Sequence, residues 1–356
     1  MERQTIVIDC SYIKDNLKLY LENYKNTNIV YLHITEYIGD IFGSHEKHIN
    51  VIREIDSTLK LNNNKLYVIF GGYSSHRYEL LNQMNLNEIE ISWWPTFLLH
   101  YTFYMMKKKY GEIKKINNEF HKLYVSLNQK PKQHRAMFID YIHKYNLIDY
   151  GIFSWNELLN EWSNNYEFKF WDEKIVRLDI NKERELLDVR KDYFTDDIFN
   201  FGCLFNVIGE SVDNNDMFFI TEKTFKNLLI GQPFICIGSP YQNVALKNFG
   251  FRLYENVIDY SFDGNQLILD RVYGVIENLN RIKKKDLNEF YDIMKNDIEY
   301  NIDNFYSILT CDNYLPKTLL GLYIESPKSF QDYKNSYMNI DEYLCKILEN
   351  NIIYYE

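Results

Sequence analysis

The sequence predicts an α/β chain made of two strand-helix-strand units, and three observations carry that prediction. Short β-branched runs alternate with stretches of helical spacing in both halves of the chain. The 356 residues are enough for two cores at about 150 residues per domain. Gly and Pro number only 14 and 6, so the elements must follow one another through short connections.

The first half opens with a strand at Thr5–Asp9 (TIVID), a polar helical stretch and a second strand at Asn28–Ile34 (NIVYLHI). Between Ser44 and Leu61 the apolar residues Ile49, Ile52, Ile55 and Leu59 recur at helical spacing. A third strand, Lys65–Phe70 (KLYVIF), ends in Gly71-Gly72, and the alternation argues for a parallel sheet with crossover helices. Ile91–Tyr104 is apolar, and charge then takes over in MKKKYGEIKK, placing a domain boundary near Lys107–Asn118. The second half repeats the grammar. Strands are predicted at Lys122–Leu127, Leu204–Ile208 and Pro233–Ile237, with helices over His134–Tyr145 and Thr221–Ile230. The tail from Asn265 is helical in pattern. This divides the chain into domains over 1–115 and 116–325, plus a helical segment over 326–356 that crosses back to the first domain. Two such sheets facing one another would leave a ligand-binding cleft.

The formal charge of −10 gives no uniform footprint for a polyanion. The five cysteines, Cys10, Cys203, Cys236, Cys311 and Cys345, show no CxxC spacing, which argues against a disulfide framework or zinc site and for a reducing compartment. No basic-then-apolar leader and no run of about 18 apolar residues is found, so the expected location is the cytoplasm. Tyr 31 and Phe 23 accompany abundant Asn, Ile and Lys, the residues of AT-rich codons. A tyrosine is therefore no signal of stacking by itself.

The most informative stretch is Glu210–Gly238, ESVDNNDMFFITEKTFKNLLIGQPFICIG. A strand ends at Glu210, Thr221 is placed to cap a helix, Glu222 and Lys223 sit in its first turn, Gly231 ends it and Pro233 opens the next strand. First-turn amides lack partners and carry partial positive charge, so this helix start suits an anion, with Lys223 beside it. The earlier loop Ser126–Arg135 (SLNQKPKQHR) also links a strand to a helix, and it carries Asn128, Lys130, Lys132, His134 and Arg135. In a parallel sheet such loops share one edge, so the two basic loops are expected to meet at one diphosphate.

This order of motifs, a strand ending in Glu, a loop, TEK, a helix, Gly-x-Pro and an apolar strand ending in Gly, resembles the donor-binding half of α-1,3-fucosyltransferases and related glycosyltransferases of the B fold. SLN…HR, YGIFSWN and NFGFRLYENVIDYSFD resemble the phage and large-virus relatives of those enzymes. The resemblance covers about Lys122–Asp263. It implies two Rossmann-like domains facing a cleft, the first binding the acceptor and the second the donor. It also implies a metal-independent, inverting transfer of a sugar from a UDP- or GDP-sugar to a hydroxyl. Glu222 would accept hydrogen bonds from ribose, Lys223 and Arg135 would hold the diphosphate, and Glu210 would face the donor sugar. Thr221, Asn128 and Lys132, from the same two loops, are the further candidates for the donor site. Gly209 stands where those enzymes carry an aromatic residue and Ser211 where they have Asn, so a fucose donor does not follow. No D-x-D closes a strand, although Asp213 and Asp216 leave a metal open.

Inverting transfer also needs a base to deprotonate the acceptor hydroxyl. Asp9, Glu36, Asp40, His45 and His76 lie at predicted strand ends of the first domain, and Glu36, directly after the second apolar run, is the favoured base. Gly71-Gly72 with Arg77, and the Trp93-Trp94 pair, would line the same cleft or serve in packing. A saccharide or lipopolysaccharide precursor is the expected acceptor, with a hydroxymethylated pyrimidine of phage DNA as runner-up. A non-catalytic binding or virion protein on the same scaffold is the alternative of another class.

Overall fold

The structure is a computed structural model that describes residues 3–8, 29–37, 56–57, 60, 65–74, 85–93, 119–128, 130–156, 166–171, 175–176, 202–213, 215, 217–310 and 352–355. The chain divides into two units. One comprises Met1–Lys109, Asp216–Phe219 and Leu309–Glu356, the other Tyr110–Asn215 and Ile220–Ile308.

In the first unit β1 (Arg3–Ile8), β2 (Ile29–Tyr37), β3 (Lys65–Ser74) and β4 (Ile89–Trp93) pair in sequence order, all parallel. β2 runs past Ile34, where the apolar pattern stops, through a register shift between Ile34 and Tyr37. Glu36 therefore lies inside that irregular stretch of strand rather than after it. The buried Asp56 carboxylate accepts the Asn87 and Glu88 amides just ahead of β4, at 3.1 and 2.8 Å. The described part of the C-terminal segment is a strand, not the helix expected there. Ile352–Tyr355 pairs in parallel with β1, as its β-branched and aromatic IIYY favours.

The second unit holds the most fully described part of the chain. Its sheet is formed by β5 (Lys122–Ser126), β6 (Gly151–Phe153), β9 (Cys203–Gly209) and β11 (Phe234–Ile237), in the order β11-β9-β5-β6 and parallel throughout. The short strands β7 (Trp155–Asn156) and β8 (Ile175–Val176) pair with each other off this sheet, whereas β10 (Met217–Phe218) belongs to the first unit, where it pairs antiparallel with β3. Helix α1 (Gln133–Lys144) follows β5, and α2 (Glu222–Ile230) carries the chain from β9 to β11. The short α3 (Gln242–Ala245), then α4 (Ile268–Ile282) and α5 (Leu287–Thr310), complete the described helices, and α4 packs on α1. Leu123–Val125, Leu204, Phe205, Val207, Ile208 and all of β11 are buried, the continuous apolar runs of a sheet covered on both faces. No described helix is long and apolar enough to cross a membrane.

Helix α2 follows the grammar of its sequence. Thr221 Oγ1 accepts the Lys223 amide, while Thr224, Phe225, Leu228 and Leu229 face the core. The helix ends because Gly231 takes φ 74°, the left-handed region that a side chain resists. A Cβ at Gly231 would also lie 3.0 Å from Ile298 Cγ2 of α5. Gly231→Ala is expected to cost about 1–2 kcal/mol, read as a lower urea midpoint. An unchanged midpoint would show that the turn relaxes without strain.

The strand order fixes where a ligand can sit. From β5 the chain steps to β6 on one side, whereas β9 lies on the other side and leads outward to β11. The connection reverses between β5 and β9, and ligands of open parallel sheets bind at the carboxyl ends of the strands flanking such a reversal. The two flanking loops here are 127–132 and 210–213.

Candidate functional site

Side chains from the β5–α1 loop reach across the reversal point to the end of β9. Lys132 Nζ donates to the Ser211 carbonyl. Arg135 Nε and Nη2 donate to the Gly209 carbonyl at 3.1 and 2.6 Å, Nη2 also to Glu210 O at 3.2 Å, and Nη1 to Lys130 O at 3.2 Å. His134 lies between two acceptors, with Nε2 3.0 Å from the Glu210 carbonyl and Nδ1 2.7 Å from Asp213 Oδ2. The Glu210 carbonyl can only accept, so His134 Nε2 donates to it, and burial lowers the His134 pKa although the contact with Asp213 works in the opposite direction. Burial alone would push the Asp213 carboxyl up, but the hydrogen bond and charge of His134, together with Lys132 and Arg271, hold the group below its ordinary value.

From the other side comes the start of α2. Lys223 Nζ lies 3.4 Å from Ser211 Oγ, 3.1 Å from Thr221 Oγ1 and 3.0 Å from Glu222 Oε1. Lys132 and Lys223, from separate turns, thus both touch Ser211. Their charges and that of Arg135 crowd one another. The Lys132 pKa is lowered to about 8, first by burial and then by Arg135, with Lys223 and Lys130 adding to the effect. Arg135 is lowered to about 10 by burial, and remains a full positive charge at neutral pH.

Several expected ligand groups take other roles. Glu210 was expected to face a donor sugar, but it is wholly buried, and its carboxylate binds the local frame. Oε1 accepts Thr221 N and Thr224 Oγ1, while Oε2 accepts Thr221 Oγ1 and Ser211 N. Glu210 thereby ties the end of β9 to the first turn of α2. Arg135 was expected to hold a diphosphate directly, but it is 5 % exposed and gives its four hydrogen bonds to backbone carbonyls beneath the loops. Room for it comes from Gly209, where a Cβ would lie 2.6 Å from Arg135 Cγ. Asn128 is buried, its amide nitrogen donating to Ser126 O and Oγ and its backbone N–H to Ser154 Oγ. Thr221 is the helix cap, and Thr221→Ala should cost about 1 kcal/mol from the cap alone, more once its bond to Glu210 is lost. A thermal shift indistinguishable from wild type would refute this.

Lys132, Lys223, Glu222, Thr221, Asn128, Arg135 and Glu210 are therefore brought to one edge. The side chain of Glu36 is outside the described set, as are Asp9, Asp40, His45, His76, Arg77, Trp94 and Asp216. Among the described residues no group of three His, Cys, Asp or Glu side chains could hold a metal ion. The sequence pattern did not single out Arg271 or the His134–Asp213 pair. Arg271 is 1 % exposed, and joins the two outer loops through Nη2 to Asp213 O at 2.6 Å and Nε to Gly238 O at 2.9 Å. Its only sequence signal is position, since it shares the inward face of α4 with Val272, Val275 and Ile276. Two hollows, of about 530 and 570 Å³, are lined respectively by residues within 259–281 and by Val244, residues 255–261 and Arg281, and by none of the expected site residues.

A scan against protein-family models, a search of curated proteins and a search of solved structures each returned no match to this chain.

Proposed function

We propose that the chain is a nucleotide-sugar-dependent glycosyltransferase, built of two Rossmann-like domains of the glycosyltransferase-B type, and that the second unit binds the donor. The observation that carries this reading is the convergence of the Lys132 and Lys223 ammonium groups on Ser211, beside the start of α2 and at the strand-order reversal. Two cations and a helix N-terminus at that position suit a diphosphate. In the reaction the acceptor oxygen bonds to the anomeric carbon, the bond from that carbon to the diphosphate breaks, and the acceptor proton passes to a base. Glu36 is the proposed base and a saccharide the proposed acceptor.

Lys132 and Lys223 would neutralise the charge that develops on the departing diphosphate, the task a divalent ion performs in other enzymes of this chemistry. Arg135 supplies charge from beneath without touching ligand. Glu210 and Thr221 are positioning residues, because they fix the helix start at which the phosphates would dock. Glu222, 14 % exposed at its side chain and paired with Lys223, would accept from a ribose hydroxyl once Lys223 turns toward phosphate.

Donor hydrolysis without acceptor, measured across a panel of UDP- and GDP-sugars, tests the reading. Release of nucleoside diphosphate above the buffer rate is expected for at least one donor. No binding and no hydrolysis of any would favour a non-catalytic scaffold.

The depressed Lys132 pKa gives a pH signature. The folded ammonium loses its proton near pH 8, earlier than in the unfolded chain, so its unfavourable effect on stability fades as pH rises from about 8 to the ordinary lysine value. A bound phosphate favours the charged form and opposes that loss. Nucleoside diphosphate affinity is therefore expected to fall as pH rises through about 8, with proton uptake on binding seen as buffer-dependent heat in calorimetry. A flat affinity between pH 7 and 9, the range about one unit either side of that value, would remove Lys132 from the site.

A further inference from the structure

The turn that follows β11 stands on the same carboxyl edge, one strand over from Ser211. Ile237 pairs with Gly209, and a Cβ at Gly238 would lie 3.2 Å from Glu210 Cβ. Arg271 ties this turn to the Asp213 loop through Gly238 O and Asp213 O. Next in the turn, Ser239 is 2 % exposed, and its hydroxyl has no hydrogen-bond partner among the described residues. Buried hydroxyls are seldom left so, because water is removed without replacement. The backbone around it is well held, with Ser239 N donating to Gln242 Oε1 at 3.0 Å and Gln242 N to Ser239 O at 3.2 Å. Ser239 Oγ thus keeps hydrogen-bonding capacity that no described residue uses.

Tyr241 closes the turn. It has φ 63° and ψ 16°, a left-handed conformation that bulky side chains rarely adopt, and it is 58 % exposed. Its N–H donates to Asp263 O at 2.7 Å, which fixes that conformation. The ring lies over Gly264, where a Cβ would come within 2.7 Å of Cε1. An aromatic residue in a strained backbone, exposed and braced by a glycine, differs from the many tyrosines that composition explains.

We propose that the Ser239–Tyr241 turn receives the aromatic base of a nucleotide whose phosphates sit at Lys132 and Lys223, with the Tyr241 ring as its stacking face and Ser239 Oγ as a hydrogen-bond partner. This rests on the phosphate reading given above. Any base has a π-face to stack, so Tyr241 supplies affinity, and the Ser239 hydroxyl supplies preference among bases.

The test compares inorganic pyrophosphate with UDP, GDP, CDP and ADP by calorimetry on the full chain. At least one nucleoside diphosphate is expected to bind about tenfold or more tighter than pyrophosphate. Tyr241→Ala removes that advantage and leaves pyrophosphate binding unchanged, whereas Tyr241→Phe keeps it. Gly264→Ala, which pushes the ring aside without removing it, also loses the advantage, and Ser239→Ala alters the ranking of the four bases. Pyrophosphate binding with no gain from any base, or an advantage that survives Tyr241→Ala, overturns this inference and leaves the phosphate site standing. Failure of every ligand, pyrophosphate included, overturns both.

Discussion

Glu210→Ala is expected to destabilise the second unit by about 3–5 kcal/mol, the range for breaking a buried charged network. Removal of the carboxylate leaves the Thr221 amide and the Thr221 and Thr224 hydroxyls without their acceptor in a buried place, and the half-buried Ser211 amide loses its acceptor too. It also removes a negative charge that favours the buried Arg135 guanidinium. Glu210→Gln keeps the volume and one acceptor oxygen, so its cost should be smaller, about 1–3 kcal/mol. Urea unfolding followed by circular dichroism measures both. Full stability in Glu210→Ala, together with lost activity, would return Glu210 to the sugar-facing role that the sequence implies.

The second large effect is on phosphate affinity. Lys132→Ala and Lys223→Ala should each weaken nucleoside diphosphate binding by about 10- to 100-fold, the value of a charge-assisted hydrogen bond. Folding should be little affected by Lys223→Ala, since its ammonium is 34 % exposed and its neighbours can turn to water. The loss should shrink as salt is raised, because part of the attraction is screened. Arg135→Ala should behave differently. It removes the hydrogen bonds to Gly209, Glu210 and Lys130 carbonyls, so stability falls together with affinity, and Arg135→Lys does not restore the fork.

The local grammar of α2 was legible because each signal acts within a few residues. Thr221 caps, Gly231 stops the helix, and the apolar runs on either side are the buried strands. The convergence of loops 127–132 and 210–213 was also legible, since parallel strands deliver such loops to one edge. What the sequence hid was the direction of side chains. Lys132 and Arg135 are three residues apart in one basic stretch, yet one meets Ser211 and the other passes under the strand. The missed signal was Gly209: its lack of a side chain, where the resembled enzymes carry an aromatic, leaves the space Arg135 fills. Arg271 was hidden in an amphipathic pattern whose inward face is otherwise apolar. Glu36 was placed after its strand because the apolar run stops at Ile34, whereas pairing with β3 continues beyond the irregular step to Tyr37.

A crystal structure with bound UDP or GDP, whichever raises the melting temperature, tests the central claim most directly. Diphosphate oxygens are expected within hydrogen-bond reach of Lys132 Nζ, Lys223 Nζ and the first-turn amides of α2. A nucleotide seated elsewhere, with both ammonium groups still on Ser211, would contradict it.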